Sequence, residues 1–160
     1  MRTAMVVERI GSAELKDLVA RGSVLDLSFP VSSLERLAAL SPLEGEAASL
    51  TASFTFRSGP EGFPQVRLVV TGAVTLVCQR CLEPVVLPVA LDVLLTLVSS
   101  DAEAAGLAEP FETALLADGE LVPAQVVEDE VLAVLPLAPR HSETTPCGRP
   151  SGREEQMNSG

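Results

Sequence analysis

Between residues 47 and 57 apolar and polar positions alternate almost without a break. Ala48, Leu50, Ala52, Phe54 and Phe56 fall on one side, and Ser49, Thr51, Ser53, Thr55 and Arg57 fall on the other. That period of two predicts an antiparallel strand with one wet face. Residues 23–29 alternate in the same way, with Leu25, Leu27 and Phe29 opposite Val24, Asp26 and Ser28. Residues 67–78 run as a further strand rich in Val, Leu and Thr, entered through the turn chemistry of Ser58-Gly59-Pro60-Glu61-Gly62-Phe63-Pro64. Residues 85–98 form another, with Val85, Leu87, Val89, Leu91, Val93, Leu95 and Leu97 on one face. Pro88 predicts that this strand is an edge or carries a bulge.

Helical spacing appears in three places. Ser12 is placed to cap a short helix through Arg21 that turns Leu15, Leu18 and Val19 to one face, and Gly22 is placed to stop it. Ser32 followed by Glu35 has the capping-box pattern of a second helix, with Leu34, Leu37 and Leu40 inward. Pro123 opens a third that ends before Pro136, with Ala124, Val127, Val131, Val134 and Leu135 along its apolar side. Ahead of it lie a polar, alanine-rich connection over residues 99–110, a short strand within 111–116 and a turn at Asp118-Gly119. The predicted fold is therefore α+β: a mainly antiparallel β meander or partly closed barrel with a few short helices packed on it.

The chain has 160 residues, 47% of them hydrophobic, which suits one core rather than two. Residues 1–140 read as a single domain. Residues 141–160 are Thr, Ser, Gly, Pro and Glu with little to bury, and read as a flexible acidic and polar tail. No apolar run reaches the length of a spanning helix, because Pro88, Asp92 and Thr96 interrupt the most apolar stretch. The opening Met1-Arg2-Thr3-Ala4-Met5-Val6-Val7-Glu8-Arg9 sets charges where an export signal needs its apolar centre, so a cytoplasmic location is expected. Acidic residues outnumber basic ones 22 to 11, a net charge of −11, and such a field repels a phosphate backbone. The chain also lacks Trp and Tyr, the stacking residues on which single-strand binders rely.

The outstanding local feature is Cys78-Gln79-Arg80-Cys81-Leu82-Glu83-Pro84, a C-x-x-C between two alternating strands. Two thiolates at this spacing can grip one tetrahedral metal ion, as in a zinc knuckle. Four ligands would be Cys78, Cys81, His141 and Cys147, so zinc is the one candidate cofactor; otherwise none is expected. The alternative is that both cysteines are small apolar side chains at a hairpin end, with Arg80 paired to a nearby carboxylate. Redox chemistry would need the first cysteine at a helix N-terminus, which this strand-to-strand turn does not supply. Glu128, Asp129 and Glu130 are consecutive, point around their helix rather than together, and read as a solvated face. The single histidine lies in the tail, and there is no phosphate-binding glycine loop. The chain is accordingly not expected to be an enzyme.

Two separated segments resemble a known family. Val77-Cys78-Gln79-Arg80-Cys81-Leu82-Glu83-Pro84-Val85 is similar to the cysteine-containing signature of the YceD family of large ribosomal RNA subunit accumulation proteins. The segment from Val127-Glu128-Asp129-Glu130-Val131 through Pro136-Leu137-Ala138-Pro139-Arg140-His141 is similar to its second signature, and Leu34-Glu35-Arg36-Leu37 to a weaker third feature. The resemblance marks Cys78, Arg80, Cys81, Glu83, Pro84, Glu128, Asp129, Glu130, Pro136, Pro139 and His141 as signature positions. Some relatives carry extra cysteines after the second signature, which bears on Cys147. It implies a mainly β domain and a non-enzymatic role in synthesis, processing or stability of large-subunit (23S) ribosomal RNA.

The expected partners are a ribosomal precursor or basic ribosome-assembly proteins, which an acidic surface suits, and no membrane. The competing reading is direct RNA binding through a local patch of Arg57, Arg67, Arg80 and Arg140, or a zinc-knuckle interaction module.

Overall fold

The computed structural model describes residues 8–40, 49–107, 112–136 and 139–140. Five strands form one sheet in the order β1-β2-β3-β4-β5: β1 (Val24–Pro30), β2 (Ser49–Ser58), β3 (Pro64–Val77), β4 (Pro84–Val98) and β5 (Thr113–Leu115). The first four are an antiparallel meander, and β5 joins the end of β4 in parallel. The sheet curls into a half-barrel, so the fold is the α+β arrangement that the alternation predicts.

Register follows from burial. Leu25, Phe54, Leu68 and Val93 are cross-strand neighbours, and so are Leu27, Ala52, Val70 and Leu91. A slip of β2 by one residue would exchange this apolar face for Ser, Thr and Arg, and the tight β3–β4 turn holds the register of that hairpin. Gly72 lies on the same inner face at φ 143°, where an added Cβ would sit 2.6 Å from the Ser49 carbonyl oxygen. A side chain at this position would collide with the neighbouring strand, which is why glycine stands here.

Pro88 pairs in unbroken register with Ala73, so there is no bulge. β5 covers only Thr96–Val98 of β4, and at Pro88 the outer side of the strand is an edge among the described residues. The missing N–H of proline is tolerated at such a place.

Helices α1 (Ser12–Arg21), α2 (Glu35–Leu40) and α4 (Pro123–Val134) contribute to one core with the inward strand residues, and α3 (Asp101–Ala105) follows β4. Gly22 stops α1 as expected, in the left-handed conformation, with Ser23 N–H reaching back to the Leu18 carbonyl. Two cap assignments differ. Ser12 is the first helical residue and Gly11 occupies the cap position without a side-chain bond. Ser32 belongs to a 3-10 turn over Val31–Ser33, and α2 begins after it at Glu35. A side-chain cap does occur where only a polar connection is expected: the Ser100 hydroxyl accepts from Glu103 N–H, and the Glu103 carboxylate accepts from Ser99 N–H just before the cap, opening α3.

Two inward positions are corrected as well. Leu37 is buried but Leu40 is 48% exposed, because α2 ends there. Val134 is 59% exposed, whereas α4 buries Val127 and Val131 as the spacing predicts and Val126 and Glu128 beside them. No described helix is long and apolar enough to cross a membrane.

Candidate functional site

The C-x-x-C motif is the end of the β3–β4 hairpin. Val77 pairs with Pro84, and Cys78 N–H donates to the Glu83 carbonyl at 2.9 Å. Leu82 N–H returns to the Cys78 carbonyl at 2.8 Å, which tightens the turn. Closing it puts Leu82 at φ 64°, a left-handed conformation that a branched side chain adopts only under strain. Leu82 is nonetheless 71% exposed, so its side chain gains little from the fold in return.

The two cysteines differ. Cys78 is fully buried in the core, and its sulfur accepts the Arg80 backbone N–H at 3.4 Å. Cys81 is half-buried against the same core. Two sulfurs in one turn are half of a tetrahedral set. Among the described residues no group of three His, Cys, Asp or Glu is placed to hold a metal, and His141 and Cys147 lie outside the described residues, as does the whole of 141–160. Arg80, Glu83 and Pro84 are exposed, and among the described residues no carboxylate pairs with Arg80 as the hairpin reading expects.

The acidic run on α4 is not a solvated face. Glu128 is only 7% exposed. One of its oxygens accepts the backbone N–H groups of Arg36, at 2.6 Å, and Leu37, at 2.9 Å. These are first-turn donors of α2, which have no partner within the helix, so a carboxylate from a distant segment caps it. The other oxygen meets Arg36 Nε at 3.3 Å, and Arg36 Nη2 reaches Asp129 at 2.6 Å. Asp129 remains exposed, and Glu130 is half-buried. Consecutive helix positions point apart, which is why one carboxylate goes inward while the next stays in water.

A third contact joins the two regions. Gln79 N–H donates to the Pro139 carbonyl at 2.7 Å, which fastens the chain after α4 to the C-x-x-C turn. Pro139 is buried, while Pro136 and Arg140 are exposed. Between the pieces lies an apolar groove of about 470 Å³ lined by Leu40, Leu76, Gln79, Leu132, Pro136 and Pro139 among others. The three segments that carry the resemblance, distant in sequence, are thus brought to one end of the half-barrel.

The four arginines of the RNA-binding reading do not form one patch. Arg67 and Arg57 lie where β2 and β3 begin their pairing, whereas Arg80 lies in the turn and Arg140 follows the residue bonded to it. Eleven residue steps of about 3.3 Å each lead along the strand from Arg67 to Cys78, a path of roughly 35 Å. Arg67 is moreover engaged by both carboxylate oxygens of Asp92.

Sequence reasoning missed Arg36, Gln79 and Leu82 as participants. Arg36 had a signal, since it is the basic residue of Leu34-Glu35-Arg36-Leu37. The bond from Gln79 is made by backbone and leaves no signal in composition.

The YceD family, described as large ribosomal RNA subunit accumulation protein YceD, matches residues 66–159, which include the turn, α4 and the groove lining apart from its α2 residues. Comparison with curated proteins and with solved structures gives no match. The family match covers more than half of the 160 residues and carries the C-x-x-C hairpin together with the α4 carboxylates, so the chain belongs to the YceD family of large ribosomal RNA subunit accumulation proteins.

Proposed function

We propose that this protein is a non-enzymatic, cytoplasmic factor that promotes synthesis, processing or stability of large-subunit (23S) ribosomal RNA. The observation that carries the reading is the family match over residues 66–159. It acts through protein partners: the net charge of −11 favours basic assembly proteins over bare RNA, and Arg57, Arg67, Arg80 and Arg140 are too dispersed to form one phosphate-tracking stripe. The signature positions divide into two sets. Cys78 and Glu128 hold the fold together, whereas Arg80, Glu83, Pro84 and Pro136, with Leu82 beside them, form the working surface.

Leu82 gives the sharpest test, because strain and exposure at one residue separate stability from function. Deleting the gene is expected to lower large-subunit relative to small-subunit ribosomal RNA, read on gradients and by quantifying both RNAs against a complemented strain. Complementation with Leu82→Gly is expected to supply a protein more stable by about 0.5–1 kcal/mol, since glycine takes this conformation without strain. That variant and Arg80→Ala are expected to restore the ratio poorly despite folding. A normal ratio in the deletion strain, under slow and fast growth, counts against the factor role; full rescue by both variants counts against this surface.

A second reading rests on the Arg80 N–H to Cys78 sulfur bond and the tie from Gln79 to Pro139, two residues before His141. In it the turn is half of a structural zinc site completed by His141 and Cys147. The purified chain is then expected to hold zinc at one equivalent, lost in Cys78→Ser and in Cys147→Ser; metal-free protein of undiminished stability removes this reading.

A further inference from the structure

β5 is the last strand of the sheet, and its two sides differ. Thr96 N–H donates to the Glu112 carbonyl and Leu116 N–H donates to the Val98 carbonyl, so residues 112, 114 and 116 turn their backbone groups toward β4. By the alternation of a strand, Thr113 and Leu115 turn theirs the other way. No strand pairs with that side among the described residues. Alongside runs a cleft of about 480 Å³, with residues 113–117 as one wall and Gln125, Val126, Asp129 and Glu130 of α4 as the other. A strand edge and a helix flanking one groove is the arrangement in which extended peptides are taken up as an added strand.

The cleft also has a definite charge. Asp101, Asp129 and Glu130 line it, Glu112 adjoins it, and no lining residue is basic. Asp129 is engaged by Arg36, but neither Glu112 nor Glu130 meets a basic side chain among the described residues. Burial first, then the nearby carboxylates of Glu112 and Asp129, hold the Glu130 carboxyl above its ordinary range. Half-buried negative charge without a counter-charge is unfavourable, and a cation brought by a partner would relieve it. Between the carboxylates the wall is apolar, with Leu115 53% exposed.

We propose that the cleft between β5 and α4 takes up a short extended segment of a partner protein, its backbone added along β5 and its Lys or Arg side chains set against Glu130 and Glu112. The proposal rests on the reading of this protein as a factor that works through basic protein partners, and it assigns them a docking place separate from the C-x-x-C turn. The alternation of apolar wall and carboxylate selects a segment in which basic and aliphatic residues alternate, since successive side chains of an added strand point to opposite faces.

The test uses the full chain and a synthetic peptide alternating Arg and Val, beside a counterpart with Glu for Arg and a short single-stranded RNA. Binding is read by fluorescence anisotropy over a salt series, and its location by hydrogen exchange. The Arg peptide is expected to bind, more weakly as salt rises, and to protect the amides of Thr113 and Leu115. Glu112→Gln combined with Glu130→Gln is expected to lower its affinity about five-fold, the scale of two partly exposed ion pairs, without loss of thermal stability. Equal binding of the acidic peptide, unchanged affinity in the double variant, protection confined to other elements, or RNA taken up in place of the peptide overturns the proposal. The same double variant is expressed in the deletion strain. Full restoration of the ribosomal RNA ratio by a protein that no longer binds the peptide removes the cleft from the function and leaves the factor reading standing. A deletion strain with a normal ratio removes the factor reading whatever the peptide does.

Discussion

Val131→Asp is expected to leave the domain unfolded or nearly so at neutral pH. Val131 has no exposed surface and faces the same core as Leu37, Leu76 and Val127. Removing its apolar contact costs about 1.5–3 kcal/mol, and burying an aspartate without a partner adds several more. That sum is comparable with the whole stability of a domain of this size, about 5–15 kcal/mol. Circular dichroism and denaturant titration measure it directly. Val134→Asp on the same helix is the matched control: its position is exposed, and a change within about 0.5 kcal/mol is expected. Equal stability of Val131→Asp and the parent protein would refute the packing of α4 described above.

Glu128→Ala is expected to be the next most damaging change, at about 2–4 kcal/mol. Alanine leaves the N–H groups of Arg36 and Leu37 without an acceptor in a site that water reaches poorly, and it removes a partner of the Arg36 guanidinium. Both backbone bonds end on one carboxylate oxygen, which an amide oxygen can replace. Glu128→Gln is therefore expected to cost only about 1 kcal/mol, through the lost charge toward Arg36 and the helix dipole. Asp129→Asn should cost less than about 1 kcal/mol, since its bond to Arg36 is exposed. Denaturation of the three variants side by side checks the order; a Glu128→Ala effect no larger than that of Asp129→Asn would show that the carboxylate does not hold α2.

These two results bear on how the family's segments are read. Loss of function on changing Glu128 would report a fallen α2, and with it one wall of the groove, rather than a lost contact to a partner. Arg80, Leu82 and Glu83 stand outside the core, so loss of function there is not explained by unfolding.

The sequence by itself determined the sheet. Alternation at Leu50, Ala52, Phe54 and Phe56, and again from Val85 to Leu97, set which face of each strand is buried, because a period of two sends alternate side chains to opposite faces. It also placed Cys78 and Cys81 at a hairpin end, bounded α1 at Gly22 and α4 between Pro123 and Pro136, and limited Pro88 to an edge or a bulge, between which the structure chose the edge. Local chemistry suffices for such features, since each depends on neighbours within a few positions. What only the tertiary structure decided is which distant groups meet. Glu128, Asp129 and Glu130 are identical in kind and adjacent in sequence, yet one is a buried cap, one an exposed partner of Arg36, and one half-buried beside Glu112. Their fates depend on where α2 and β5 lie, many residues away. The same holds for Leu40 and Val134, which satisfy the helical period but stand where the helix ends and its neighbours stop. Gln79 and Pro139 meet through a backbone N–H that every residue but proline possesses and a carbonyl that all possess, so residue type does not announce the contact that draws the far segment onto the turn.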